Sequence, residues 1–351
     1  MNFWIRYTIV IIVMIALELA YFKIAYKCNI IDKPNERSSH STIVLRGGGI
    51  IFPISMIVWM ILGIVQGEWS MVLSYLPFLV GLMLIAGVSF YDDIHSLPDS
   101  VRLVAQFVAM GLMFWNLDIM HWDMWWVVLL SLIVFVGATN IINFMDGING
   151  ITAGYSLAVL IPLALLNSSS GLSVQEVQGF IDPSYLIIAI IGVLVFGYFN
   201  FRPRGKAKCF AGDVGSVGIA FIMLFAIGKL ILSTNDITWL AFLLVYGVDG
   251  CCTIIHRIML HENLGEAHRK HAYQLMANEL GMSHVTVSCI YMVLQLVISL
   301  VMVYLIPNTA LAHWIYLIVV GIILAGAYVV FMKKYFHLHQ EYLDSLKKVE
   351  G

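Results

Sequence analysis

Apolar runs long enough to cross a bilayer recur along almost the whole chain, and this feature constrains the fold more than any other. A transmembrane helix needs about 20 mostly apolar residues. Runs of that kind fall at 3–25, 48–65, 71–90, 101–118, 125–143, 151–167, 184–199, 214–232, 237–255, 285–305 and 313–332. Composition agrees: of 351 residues, 61% are hydrophobic and only 11% charged, against roughly 25% charged in soluble domains. The expectation is an all-α, polytopic integral membrane protein with about eleven transmembrane helices. It is read as a single transmembrane domain over 1–351, ending in a cytoplasmic tail at 333–351. The first run carries no small-residue cleavage site and is long enough to span, so it reads as a retained helix. The five cysteines have no ligand-like spacing and read as free thiols.

The basic residues give the sidedness, because cytoplasmic loops hold the excess of Lys and Arg. Lys27, Lys33, Arg37 and Arg46 lie in the first connection, and Arg102 opens the fourth run. Arg202, Arg204, Lys206 and Lys208 follow the seventh, Arg257, Arg269 and Lys270 the ninth, and Lys333, Lys334, Lys347 and Lys348 the last. These are 16 of the 19 basic residues, and the alternate connections hold none. An odd number of spans then places the N-terminus outside and the C-terminus in the cytoplasm.

Five polar clusters interrupt the apolar pattern: "DKPNERSSH" (32–40), "YDDIHSLPDSVR" (91–102), "NIINFMDGING" (140–150), "FAGDVGS" (210–216) and "EAHRKHAYQ" (266–274). All five lie in, or at the edge of, connections that the basic residues assign to the cytoplasm. Adjacent Asp92 and Asp93 end a span, either as a solvated pair or as oxygen ligands of the kind that suit Mg²⁺. "GDVGS" opens a helix, where Asp213 and Ser216 read as caps or as part of a phosphate and metal site at the helix N-terminus. Asn140 and Asn143 share a helical face near the end of a span, where polar residues serve packing or function. Asp146 and Asn149 precede glycines in a turn pattern, and the glycines also allow backbone close to a ligand. His268 and His271 flank Arg269 without the spacing of a zinc protease. Arg with His suits phosphate recognition, while the plain alternative is attraction to lipid headgroups. Taken together, the set fits metal-assisted phosphoryl chemistry, in which catalysis is mostly positioning and charge neutralisation. The G-x-x-x-x-G-K-[ST] loop of nucleotide hydrolases does not occur.

The order and wording of these clusters resemble the polyprenyl-phosphate N-acetylhexosamine-1-phosphate transferases over roughly residues 30–275. The resemblance implies transfer of a sugar 1-phosphate from a UDP-sugar donor to a membrane polyprenyl phosphate, with release of UMP. It also implies Mg²⁺ as cofactor, with Mn²⁺ as a substitute, and a homodimer. On the matching positions, Asp92 and Asp93 correspond to the aspartate pair at the lipid-phosphate and metal site, and with Asp213 form the expected catalytic set. Arg102 stands where a basic residue reaches the diphosphate. Asn143 and Asp213 match metal-site positions, Asp213 as the direct ligand. Asn140, Asp146 and Asn149 fall in the nucleotide-sugar segment, and His268, Arg269 and His271 in the last loop motif. Lys33, Arg37, His40 and the run Gly47–Gly49 match the first loop.

Two departures qualify the likeness. "TIVLRGGG" lacks the prolines that often precede these glycines, and "AHRKHAYQ" resembles the branch that acts on modified N-acetylhexosamines in surface-polysaccharide synthesis. The second argues against a plain peptidoglycan role and leaves the donor sugar open. The resemblance implies the cytoplasmic membrane of a bacterium; lipids are expected partners and nucleic acid is not. The rival readings are a secondary transporter, which also uses intramembrane acids and broken helices, and a non-catalytic lipid-binding scaffold.

Overall fold

The computed structural model describes residues 2–32, 44–120, 123, 125–168, 173–175, 177–266 and 268–350. The expected runs are helical. In chain order the helices are α1 (Phe3–Lys27), α2 (Ile51–Gln66), α3 (Trp69–Ser74), α4 (Leu76–Ile94), α5 (Asp99–Asn116), α6 (Trp125–Phe144) and α7 (Ile151–Asn167). They continue with α8 (Pro183–Asn200), α9 (Gly212–Thr234), α10 (Leu244–Met259), α11 (Ala272–Asn278), α12 (His284–Tyr304) and α13 (Ala310–Glu350). Among the described residues, nine helices are long and apolar enough to cross a membrane. Two expected spans fall outside that group: α7 has only 17 residues, and α5 places Asp99 and Arg102 in its first turn. The segment 333–350 is helical, because α13 runs through it without a break.

The bundle is organised around α9, nearly all of which is buried. Helix α9 packs on α4 and α6, α7 lies along α12 and α8, and α4 and α5 form an antiparallel pair. The outward faces of α1, α6 and α13 stay apolar and exposed, through residues such as Ile12, Leu130 and Ile322. Large apolar residues left outside a packed chain are what a lipid solvent favours, and backbone polar groups inside the helices are satisfied there.

Glycines set the crossing of the first connection with α9. A two-stranded antiparallel ribbon joins β1 (Ile31–Asp32) to β2 (Val44–Leu45). Beyond it, Gly48 N–H donates to the Phe210 carbonyl (2.8 Å) and Gly49 N–H to that of Ala211 (3.1 Å). A Cβ on Gly49 would lie 2.3 Å from Gly215 Cα, and one on Gly215 would lie 2.6 Å from Gly49 Cα. Two backbones touch there, so both positions require glycine.

Candidate active site

The first acidic pair divides its work. Asp93 has a fully buried side chain. Its Oδ1 accepts the Asp213 N–H and its Oδ2 the Val214 N–H, each at 3.0 Å. These are orphan donors of the first turn of α9, which the carboxylate caps. Arg46 Nε lies 3.1 Å from the same Oδ1. Gly212 makes the approach feasible, since its φ is +69° and a Cβ there would lie 2.6 Å from Asp93 Oδ2. The anion at this helix N-terminus is therefore an aspartate of the chain itself, in the place where the sequence suggested a phosphate.

Asp92 faces the other way. Its Oδ1 accepts the Leu97 N–H at 2.6 Å, and its Oδ2 lies 3.4 Å from Arg102 Nε. Arg102 then reaches Asp213, with Nη2 3.1 Å from Oδ2. The Asp92 and Asp213 carboxyls share this guanidinium, which offsets their repulsion. Asn143 joins from α6: its Oδ1 accepts the Ser216 hydroxyl at 2.5 Å, while Ser216 also donates to the Gly212 carbonyl.

Two cavities flank this group. The smaller, about 210 Å³, is lined by Asp32, Arg46, Asn143, Asp146, Asn149, Asp213, Gln274 and His284, among others. Burial pushes the Asp146 carboxyl up to about 7, against the Thr152 hydroxyl that donates to it; Asp213 raises it further and Arg46 lowers it. Asn149 is almost fully buried, and its amide N–H groups donate to the Arg202 and Pro203 carbonyls. It fixes the adjoining loop as well as lining the cavity. The larger cavity, about 530 Å³, is lined by Arg102, Gln106, Asn140, Phe144, His268 and His271, among others. Asn140 and Gln106 exchange amide hydrogen bonds at 2.9 and 3.3 Å. Burial, the neighbouring His271 and nearby Arg257 and Lys270 push His268 down to about 3, so its ring is uncharged at neutral pH. Asp213 lines one cavity and Arg102 the other, so their ion pair stands between the two.

Arg269 turns away from both cavities. Its Nη2 pairs with Glu279 at 3.1 Å, and the guanidinium stacks over Tyr342 at 4.4 Å. His339 Nδ1 lies 2.8 Å from the same Glu279 oxygen, so α13 grips the histidine loop from behind. Lys33, Arg37 and His40 lie outside the described residues. Sequence reasoning missed Arg46, Gln274, His284 and Asp249 as parts of this region; Asp249 had a visible signal, an acid inside an apolar run.

The residues present suit Mg²⁺ better than a metal held wholly by protein. Among the described residues, no group of three or more His, Cys, Asp or Glu side chains could hold a metal ion. Asp213, Asn143 and Asp92 bring hard oxygens to one place, and Mg²⁺ commonly takes one or two carboxylates and completes its shell with water and substrate phosphate.

Residues 75–231, which contain Asp92, Arg102, Asn143, Asp146 and Asp213, match the model of glycosyl transferase family 4. That segment, a little under half of the chain, is similar to the family. A probable undecaprenyl-phosphate N-acetylglucosaminyl 1-phosphate transferase of Bacillus subtilis is 27% identical over 288 residues, covering 77% of this chain and 76% of the relative. The phospho-N-acetylmuramoyl-pentapeptide-transferase of Moorella thermoacetica is 34% identical over 116 residues, 33% of this chain and 32% of the relative. A Streptococcus pneumoniae enzyme of the same name is 32% identical over 141 residues, 40% of this chain and 36% of the relative. The likeness to these two pentapeptide transferases thus covers 32–40% of each chain, whereas the Bacillus relative is matched over most of its length.

Proposed function

We propose that this chain transfers an N-acetylhexosamine 1-phosphate from a UDP-sugar to undecaprenyl phosphate or a similar polyprenyl phosphate. UMP is released, and the product opens the synthesis of a cell-surface polysaccharide at the cytoplasmic face of the bacterial inner membrane. The observation that carries this reading is the meeting of Asp92, Arg102, Asn143 and Asp213, from four helices, between two cavities. The printed names of the relatives support it, since both describe transfer of a phosphosugar. The polar residues gather where α4, α6 and α8 end and α5 and α9 begin. A secondary transporter would hold its cargo near mid-depth. Sidedness from the basic residues gives that end of the bundle to the cytoplasm, with the N-terminus outside.

The acceptor phosphate supplies its own nucleophile. The second pKa of a phosphate monoester is about 6, so at neutral pH the acceptor is largely a dianion and needs no strong base. One of its oxygens forms a bond to the sugar-bearing phosphorus as the bond from that phosphorus to the UMP oxygen breaks. The departing UMP carries away the electron pair. Arg102, held between Asp92 and Asp213, stands where it can offset charge on the diphosphate. Asp146 and Asn149, in the smaller cavity, face the nucleotide sugar. Asn140, His268 and His271, in the larger, face the transferred group and the acceptor. Asp213 and Asn143 would hold Mg²⁺, which when bound supplies charge neutralisation on the diphosphate.

The test is UMP release by the purified protein from a panel of UDP-N-acetylhexosamines, deoxy and amino variants included. Release should require both undecaprenyl phosphate and a divalent cation, and should stop with EDTA. No release from any donor, or release indifferent to the lipid phosphate, would overturn the reading.

A further inference from the structure

We infer that Asp249, buried on α10, is a positioning residue that fixes the ring of His271 and presents its Nε2 to the transferred sugar phosphate. The inference rests on the reaction proposed above and adds to it a residue outside the matched motifs. Four groups converge on the Asp249 carboxylate. Oδ1 accepts the Ala272 N–H (3.1 Å), lies 3.1 Å from Thr253 Oγ1 and 3.3 Å from His271 Nδ1. Oδ2 accepts the Tyr291 hydroxyl at 2.5 Å. An ionised carboxylate offers about four lone-pair sites and no proton, so this shell suits the anion. The nitrogen facing it must then carry its hydrogen.

With Nδ1–H committed to Asp249, the remaining ring nitrogen is the one available to a ligand. His271 Nε2 is buried and has no hydrogen-bond partner among the described residues, and His271 lines the larger cavity beside Arg102, Asn140 and His268. A buried ring nitrogen without a partner costs free energy comparable to a lost hydrogen bond. A site that tolerates this while fully satisfying the other nitrogen is arranged for something that enters. The surroundings hold the ring rigidly. His271 caps α11 with its backbone N–H on Gln274 Oε1, and its ring lies 5.7 Å from that of Tyr273 in a near-parallel stack. Tyr291 comes from α12, and Thr253 continues the network to Tyr328 on α13 at 2.9 Å. An orienting carboxylate behind a functional histidine fixes tautomer and ring angle.

The measurement is a double-mutant cycle on kcat/KM for UMP release, with thermal unfolding in detergent read in parallel. Asp249→Asn can keep its one oxygen for the Tyr291 hydroxyl while turning its NH₂ toward Nδ1 and the Ala272 N–H, which reverses the tautomer. It should lower kcat/KM by on the order of 10–100-fold, the range typical of losing such an orienting partner. In a His271→Gln background the same change should cost less than about twofold, since additivity fails for residues acting as one unit. Tyr291→Phe repeats the cycle with a gentler change, and decides the matter if Asp249→Asn does not fold. Equal losses in both backgrounds, or wild-type kcat/KM in Asp249→Asn, would overturn the inference. If the unmodified protein releases no UMP, it is the proposed reaction that fails.

Discussion

Replacing each of two neighbouring carboxylates by its amide should separate a structural aspartate from a chemical one. In Asp93→Asn the amide must place its NH₂ against a donor. Turned one way it meets the Val214 N–H, and turned the other it meets the Asp213 N–H and Arg46, all now within 3.0–3.1 Å of an oxygen. A buried N–H left unpaired costs about 1–3 kcal/mol. Loss of the ionic contact with the partly exposed Arg46 adds about 0–1 kcal/mol, for a total of about 1–4 kcal/mol. In Asp213→Asn the carboxyl is partly exposed to a cavity, and Arg102 retains Asp92 at 3.4 Å and Asp99 at 3.8 Å. Stability should change by no more than about 1 kcal/mol, while kcat falls about 10²–10³-fold, as on removing one electrostatic contact to a charged transition state. Thermal unfolding in detergent and UMP release on the same preparations read both numbers. The reasoning is refuted if Asp213→Asn is the unstable variant, or if Asp93→Asn melts with the wild type.

Other expectations follow from the same geometry. Asp146 binds its proton more tightly in the folded protein, with a pKa of about 7, than in the unfolded chain, where a carboxyl titrates near 4. Its contribution is full below about pH 4 and is lost as pH rises through about 7; melting of the metal-free protein across that window should show the slope, and Asp146→Asn should flatten it. Gly215→Val should fail to fold or lose at least about 3 kcal/mol, because its Cβ would sit 2.6 Å from Gly49 Cα in a contact with no room to relax; expression and melting will tell. Glu279→Gln should loosen the grip of His339 and Arg269 on the histidine loop and lower kcat/KM roughly tenfold, whereas an unchanged value would mean that the loop holds itself.

The helices were legible because a bilayer-spanning helix needs only a run of apolar residues, a local property. That the polar clusters share one end of the bundle was legible for a similar reason, since the alternation of charged and uncharged connections is counted loop by loop. Which member of an acidic pair faces a cavity was not. Asp93 is defined by donors at positions 213 and 214, some 120 residues away, and no local pattern encodes that distance. Arg269 looked like a phosphate ligand because Arg beside His often is one, yet its partners, Glu279 and Tyr342, lie just beyond α11 and on α13. The triple glycine matched a loop motif in the sequence, but that it packs backbone against backbone needed Gly215, which meets Gly49. Asp249 was visible as an acid in an apolar helix, but its meaning came only with His271 and Tyr291 around it.

The central claim is that the group moved is a sugar together with its phosphate. A UDP-N-acetylhexosamine carrying isotope on the phosphate next to the sugar tests this directly, after incubation with the protein, undecaprenyl phosphate and Mg²⁺. The account predicts that label enters the lipid fraction mole for mole with the UMP released. Label remaining in UDP while sugar enters the lipid would contradict it.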